Sequence, residues 1–184
     1  MTIPNLITIL RIILTPIFII FLLNDAYLPA LILFVVAGIS DAVDGLIARL
    51  FNQKSKLGAF LDPLADKILL VSAFVVLSAK NDVYAWLAVV VISRDFLILL
   101  GVLILFLNSQ DFTFKPSIVS KMTTCMQLAT VFVALFVAVS ADHSPHLHQF
   151  SICLFWATGL LTVISCLHYM RQWFRMMGEG PIHD

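Results

Sequence analysis

Charge is what this chain has least of. Of its 184 residues, 12% are Asp, Glu, Lys or Arg, where a soluble domain carries about a quarter. Apolar residues make up 61%, and mean hydropathy is +1.03. Formal net charge is zero, so no overall field draws nucleic acid or an acidic partner. There are three cysteines, Cys125, Cys153 and Cys166, all in apolar runs and none in a C-x-x-C pair. They read as small buried hydrophobes rather than metal ligands or disulfide partners. No segment alternates as a strand does, and there is no soluble insert, low-complexity stretch or internal repeat. What remains is a single all-α domain of an integral membrane protein.

Six apolar runs approach the ~20 residues that a spanning helix needs. They are Leu6–Leu23, Leu28–Leu50, Leu61–Leu77, Val83–Leu107, Ile118–Val139 and Phe150–Met170. The first contains Arg11 and Pro16 and lacks a small-x-small cleavage site, so it reads as a retained span rather than a signal peptide. Basic residues set the expected orientation. Arg49, Lys54, Lys56, Lys115, Lys121, Arg171 and Arg175 fall on one side, and Lys80 alone falls on the other. Both termini and the loop after the second run are therefore expected to face the cytoplasm.

Against this apolar background, DAVDGLIARLFNQKSKLGAFLDPLAD carries Asp41, Asp44, Asp62 and Asp66. At ~100° per helical residue, Asp44 lies about 60° from Asp41 on one side, Gly45 about 40° on the other and Ala48 about 20° away. Asp62 and Asp66 are one helical turn apart and share a second face. The two faces are expected to meet near the cytoplasmic side, because a short basic loop joins the runs that carry them. Four clustered acids repel unless a cation lies between them, and Arg49 and Lys67 are too few. An all-oxygen ligand set favours hard divalent cations, Mg²⁺ or Mn²⁺, and four carboxylates could hold two of them. Gly45, Ala48 and Gly58 leave room beside the carboxylates, and Arg49 offers a planar fork for phosphate oxygens. The residues alone point to a phosphate-bearing substrate held at the membrane boundary.

The spacing Asp-x-x-Asp-Gly-x-x-Ala-Arg, eight residues, Gly, three residues, Asp, three residues, Asp resembles the signature of the CDP-alcohol phosphatidyltransferase family. Every fixed position is met: Asp41, Asp44, Gly45, Ala48, Arg49, Gly58, Asp62 and Asp66. The resemblance implies six transmembrane helices, a homodimer in the bilayer and phosphatidyl transfer from CDP-diacylglycerol with release of CMP. It implies that the four aspartates hold the two metals and that Asp66 takes the proton from the acceptor hydroxyl. It places Gly45, Ala48, Arg49 and Gly58 around the nucleotide. The opening PNLITILR is also similar to that of family members, so Asn5 and Thr8, with Arg11 on the same spacing, are expected near the nucleotide.

Ser93-Arg94-Asp95 interrupts the fourth run, and a buried arginine needs an anionic partner. Asp95 points about 100° away from Arg94, so it is not an automatic one. Arg94 and Lys121 are expected to bind an anionic acceptor headgroup. That acceptor is read as glycerol 3-phosphate, as in phosphatidylglycerophosphate synthesis. The alternative is phosphatidylglycerol, as in cardiolipin synthesis, because IPNLIT, ISRD and KPSIVSK resemble enzymes of that group. A bacterial-type inner membrane is the expected location. A cation transporter would spread its acids through the membrane depth and often carry inverted repeats, unlike this one-sided cluster. His143, His146 and His148 are read as a solvated loop on the opposite side, and Gly101 and Gly159 as easing helix packing.

Overall fold

The computed structural model describes residues 3–50, 58–107, 118–140 and 145–178. Side-chain surroundings are described for 10–40, 67–101, 118–140 and 145–171. The described residues form six helices: α1 (Ile3–Leu23), α2 (Tyr27–Leu50), α3 (Gly58–Ala79), α4 (Ala85–Leu107), α5 (Ile118–Val139) and α6 (Pro145–Gly178). Each matches one apolar run. The largest differences are in α6, which starts at Pro145 and runs 34 residues. Pro145 suits a first helical position, where its missing N–H has no partner to lose. This start places His146 and His148 on the first turn of α6 instead of in a loop, although both are exposed as expected. His143 lies outside the described residues.

Helix α1 packs on α2 and α3, and α5 packs on α6 and α2 and also touches α3. Helix α4 closes the bundle against α6 and α3. The apolar core runs through Phe18 and Leu22 of α1, Phe34 of α2, Phe74 and Leu77 of α3, Leu87 and Val91 of α4, and Leu135 of α5. The Phe18 and Phe34 rings meet at 6.0 Å between centroids. Gly159 of α6 lets the Trp86 ring of α4 lie against the α6 backbone, where a Cβ would come within 2.6 Å of it. Gly101 has no such contact among the described residues.

Polarity is inverted relative to a water-soluble bundle. Thr123, Gln127, Thr130, Thr158, Thr162 and Ser165 are fully buried between helices. Ile13, Ile39, Val89, Phe96, Trp156 and Leu160 are more than half exposed. Apolar surface outward and hydroxyls between helices is the arrangement that lipid favours. The Thr130 and Thr158 hydroxyls join α5 to α6 at 2.7 Å. The cysteines correct one expectation: Cys125 and Cys153 are exposed and Cys166 is half-buried, all as free thiols. A small, weakly polar side chain is compatible with that apolar exterior. Among the described residues, α5 and the Pro145–Arg171 part of α6 are long and apolar enough to cross a membrane. Leu10–Leu23, Tyr27–Ser40 and Lys67–Ala79 are shorter apolar stretches. The described side chains end at Ser40 and resume at Lys67, on either side of the motif acids.

The end of the bundle away from those acids is fastened by two matching turns. Asp25 and Asn81 adopt left-handed φ values of 58° and 65°. After each, the next amide bonds back to an earlier carbonyl, Ala26 to Phe21 and Asp82 to Leu77, both at 2.9 Å. This is the hydrogen-bond pattern that closes a helix C-terminus. Lys80 pairs with Asp25, and the Tyr27 hydroxyl donates to Asp82 at 2.9 Å. The α1–α2 and α3–α4 corners are thereby tied together.

Candidate active site

The motif occupies two helix ends. Asp41, Asp44, Gly45, Ala48 and Arg49 lie on the last turns of α2, while Gly58, Asp62 and Asp66 lie on the first turns of α3. Residues 51–57 link these ends, so both sit at one end of the bundle. Helix α2 packs mainly on α1 and α5, and α3 on α1 and α4, rather than on each other. Asn5, Thr8 and Arg11 lie on the half of α1 nearest its start, at the same end. The side chains of Asn5, Thr8 and residues 41–66 lie outside those described. Arg11 is described, and it is buried at 3% exposure. The Thr15 hydroxyl donates to the Arg11 carbonyl at 2.9 Å.

One residue past Asp66, the described site begins. Lys67 of α3 bonds Asp95 Oδ2 of α4 at 2.7 Å, and Arg94 Nη1 bonds Asp95 Oδ1 at 2.7 Å. Arg94 Nη2 reaches Ser120 of α5 at 2.6 Å and Ser165 of α6 at 3.1 Å. The guanidinium also lies 5.9 Å from the centre of the Tyr169 ring. One arginine–aspartate pair therefore connects α3, α4, α5 and α6 immediately behind the motif. Asp95 does partner Arg94, a pairing that the helical angle alone did not guarantee. The long arginine side chain folds back across the angle that separates neighbouring residues on a helix, and the buried carboxylate has Lys67 on its other oxygen. Lys67, counted from the sequence as a neutraliser of the motif acids, is committed to Asp95. Among the described residues, two cations share this one carboxylate, which leaves one positive charge over within the trio. Arg94 Nε is buried and has no hydrogen-bond partner among the described residues.

Lys121 follows Ser120 but is exposed. Arg94 reaches the residue beside Lys121 rather than Lys121 itself. Asp95, Ser120, Ser165 and Tyr169 were not singled out from the sequence as site residues. Asp95 alone carried a signal, as an acid in the middle of an apolar run.

Residues 1–165 match the CDP-alcohol phosphatidyltransferase family. The chain belongs to that family. Its curated relatives fall in two groups. It is 35% identical to a probable cardiolipin synthase (CMP-forming) from Drosophila melanogaster, over 94% of this chain and 58% of the fly protein. It is 32% identical to a CDP-diacylglycerol--glycerol-3-phosphate 3-phosphatidyltransferase from Aquifex aeolicus, over 94% of this chain and 92% of that protein. A Bacillus subtilis protein of the same name is also 32% identical, over 92% of this chain and 93% of its own length. Within this phosphatidyltransferase family, the ends of α2 and α3 bear the eight-position signature, and the Lys67–Asp95–Arg94 trio lies directly behind it.

Among the described residues, no cluster of three His, Cys, Asp or Glu side chains could hold a metal. Asp41, Asp44, Asp62 and Asp66 lie outside the described side chains. As a donor set they are all oxygen, which suits Mg²⁺ or Mn²⁺.

Proposed function

We propose that this protein transfers the phosphatidyl group of CDP-diacylglycerol to the hydroxyl of glycerol 3-phosphate, giving phosphatidylglycerophosphate and CMP. The observation that carries the acceptor is the Lys67–Asp95–Arg94 trio next to Asp66 in the chain, where, among the described residues, one positive charge is left over and the buried Arg94 Nε has no partner. A phosphate-bearing alcohol supplies the missing negative charge. In this reading Arg94, with Lys121 at the entrance, holds the acceptor phosphate, and Arg49 faces the pyrophosphate. Gly45, Ala48 and Gly58 leave space for the nucleotide, and Asn5 and Thr8 border it.

Asp66 accepts the proton of the acceptor hydroxyl. The freed oxygen forms a bond to the β-phosphorus, the bond from that phosphorus to the bridging oxygen breaks, and the electron pair leaves with CMP. Asp41, Asp44, Asp62 and Asp66 would hold two divalent cations, which when bound neutralise charge on the pyrophosphate. Preorganised positive charge of this kind acts where negative charge develops in the transition state.

The reading includes six membrane spans, both termini in the cytoplasm, a bacterial-type inner membrane and the homodimer that the family resemblance implies. The exposed apolar residues of α1, α2, α3 and α4 support spans beyond α5 and α6. A second reading, phosphatidylglycerol as acceptor, is favoured by the 35% identity to the fly cardiolipin synthase. The test is CMP release by purified protein with each acceptor in turn. Release with glycerol 3-phosphate alone supports the first reading, and release with phosphatidylglycerol alone replaces it with the second.

A further inference from the structure

The end of the bundle opposite the motif holds a cavity of about 370 Å³. Its polar lining includes Asp82 in the α3–α4 turn and His148 at the start of α6. Tyr84 and Phe155 contribute aromatic rings, and Ala138 and Ile152 contribute apolar wall. The two rings meet edge to face, 5.9 Å apart. The Tyr27 hydroxyl occupies Asp82 Oδ2, and no donor among the described residues takes Oδ1. Lys80, the neighbouring cation, is paired with Asp25. The cavity thus offers a carboxylate oxygen beside two aromatic rings.

A carboxylate with aromatic faces recognises an organic ammonium group. A bare metal ion is a poor fit, because three acidic, histidine or cysteine donors do not converge here among the described residues. Apolar walls and the exposed Tyr84 suit a ligand with acyl chains. The exposed His148 ring can donate to a phosphate next to the ammonium. We propose that this cavity binds the headgroup of an amine-bearing phospholipid, with its ammonium on Asp82 beside Tyr84 and Phe155 and its phosphate at His148. The site uses the membrane reading but not the transfer reaction, so either proposal can fail alone.

The test is thermal unfolding of the purified full chain in detergent, with three probes. These are a short-chain phosphatidylethanolamine, its N-acetyl derivative and glycerophosphoethanolamine without chains. Wild type, Asp82→Asn and Ala138→Phe are compared. Ala138→Phe fills the cavity and leaves the Asp82–Tyr27 bond in place. Each variant's midpoint without lipid reports whether it folds. The expected result is a rise of roughly 5 °C for wild type with saturating phosphatidylethanolamine. The other two probes should give no comparable rise, and both variants should lose it. An equal rise in wild type and Ala138→Phe would overturn the proposal. So would an equal rise with the N-acetyl lipid, or with the headgroup alone.

Discussion

Asp95→Asn removes the negative charge at the centre of the Lys67–Asp95–Arg94 trio. The two cations it leaves differ in their access to water. Lys67 is 26% exposed and can turn toward solvent, whereas Arg94 is 2% exposed and cannot. Removing one partner of a buried ion pair costs about 3–5 kcal/mol, mostly from the charge left behind. Arg94 keeps Ser120 and Ser165, and asparagine keeps one acceptor oxygen. These place the expected cost at the low end, about 3 kcal/mol. For a chain of this size that lowers the unfolding midpoint by roughly 6–12 °C. The assay is thermal unfolding in detergent, with the Arg94→Gln, Asp95→Asn double variant alongside. Removing both charges should recover more than half of the loss, because the stranded cation is gone. A single-variant midpoint within about 2 °C of wild type would refute the reasoning.

Three further outcomes follow from the packing and the charges. Gly159→Ala would press a Cβ to 2.6 Å from the Trp86 ring, which also packs on Trp156 at 4.8 Å. It should cost about 1–3 kcal/mol of unfolding free energy, whereas Gly101→Ala, with nothing within 4 Å, should not destabilise. Gln127 is fully buried, and neither amide atom has a partner among the described residues. Gln127→Leu should therefore raise stability by about 1–3 kcal/mol in a thermal melt, and a loss would show that the amide holds a bound partner. Burial holds the Asp82 carboxyl above its ordinary value of 3.8, against the opposing pull of the Tyr27 hydroxyl and Lys80. The folded chain then binds this proton more tightly than the unfolded chain. The stability that the protonated group adds is complete below the unfolded value and is lost as pH rises through the folded one. Asp82→Asn should be the more stable protein at neutral pH, with the gap closing as the pH falls toward about 4. A gap that widens on acidification would reverse that assignment.

The helices were legible because lipid imposes a simple rule on sequence. An apolar run near the length of a span is a helix, since no other open structure satisfies its backbone there. The runs around Ile118–Val139 needed no adjustment, whereas the start of α6 was missed because Pro145 and three polar neighbours read as loop. The motif acids were legible for the opposite reason, as charges stand out where they are costly. What stayed hidden was tertiary pairing. Lys67 is close in sequence to Asp66 and was weighed with Arg49 as a counter-charge too small for four acids, but the fold brings α4 alongside α3 and gives the lysine to Asp95. Arg94 and Asp95 looked divergent on an ideal helix. Side-chain length and burial, which helical angles do not express, brought them together. Ser120 and Ser165 carried no local signal, because hydroxyls are common between membrane helices.

The central claim is that the carboxylate motif makes this chain a metal-dependent phosphatidyltransferase. The most direct measurement is CMP release from CDP-diacylglycerol by wild type and Asp66→Asn, with Mg²⁺ or Mn²⁺, glycerol 3-phosphate or phosphatidylglycerol, and EDTA controls. The account predicts release by wild type that needs metal and acceptor, fastest with glycerol 3-phosphate, and near-complete loss in folded Asp66→Asn. Folded wild type that releases no CMP with either acceptor, or an Asp66→Asn variant as active as wild type, would contradict it.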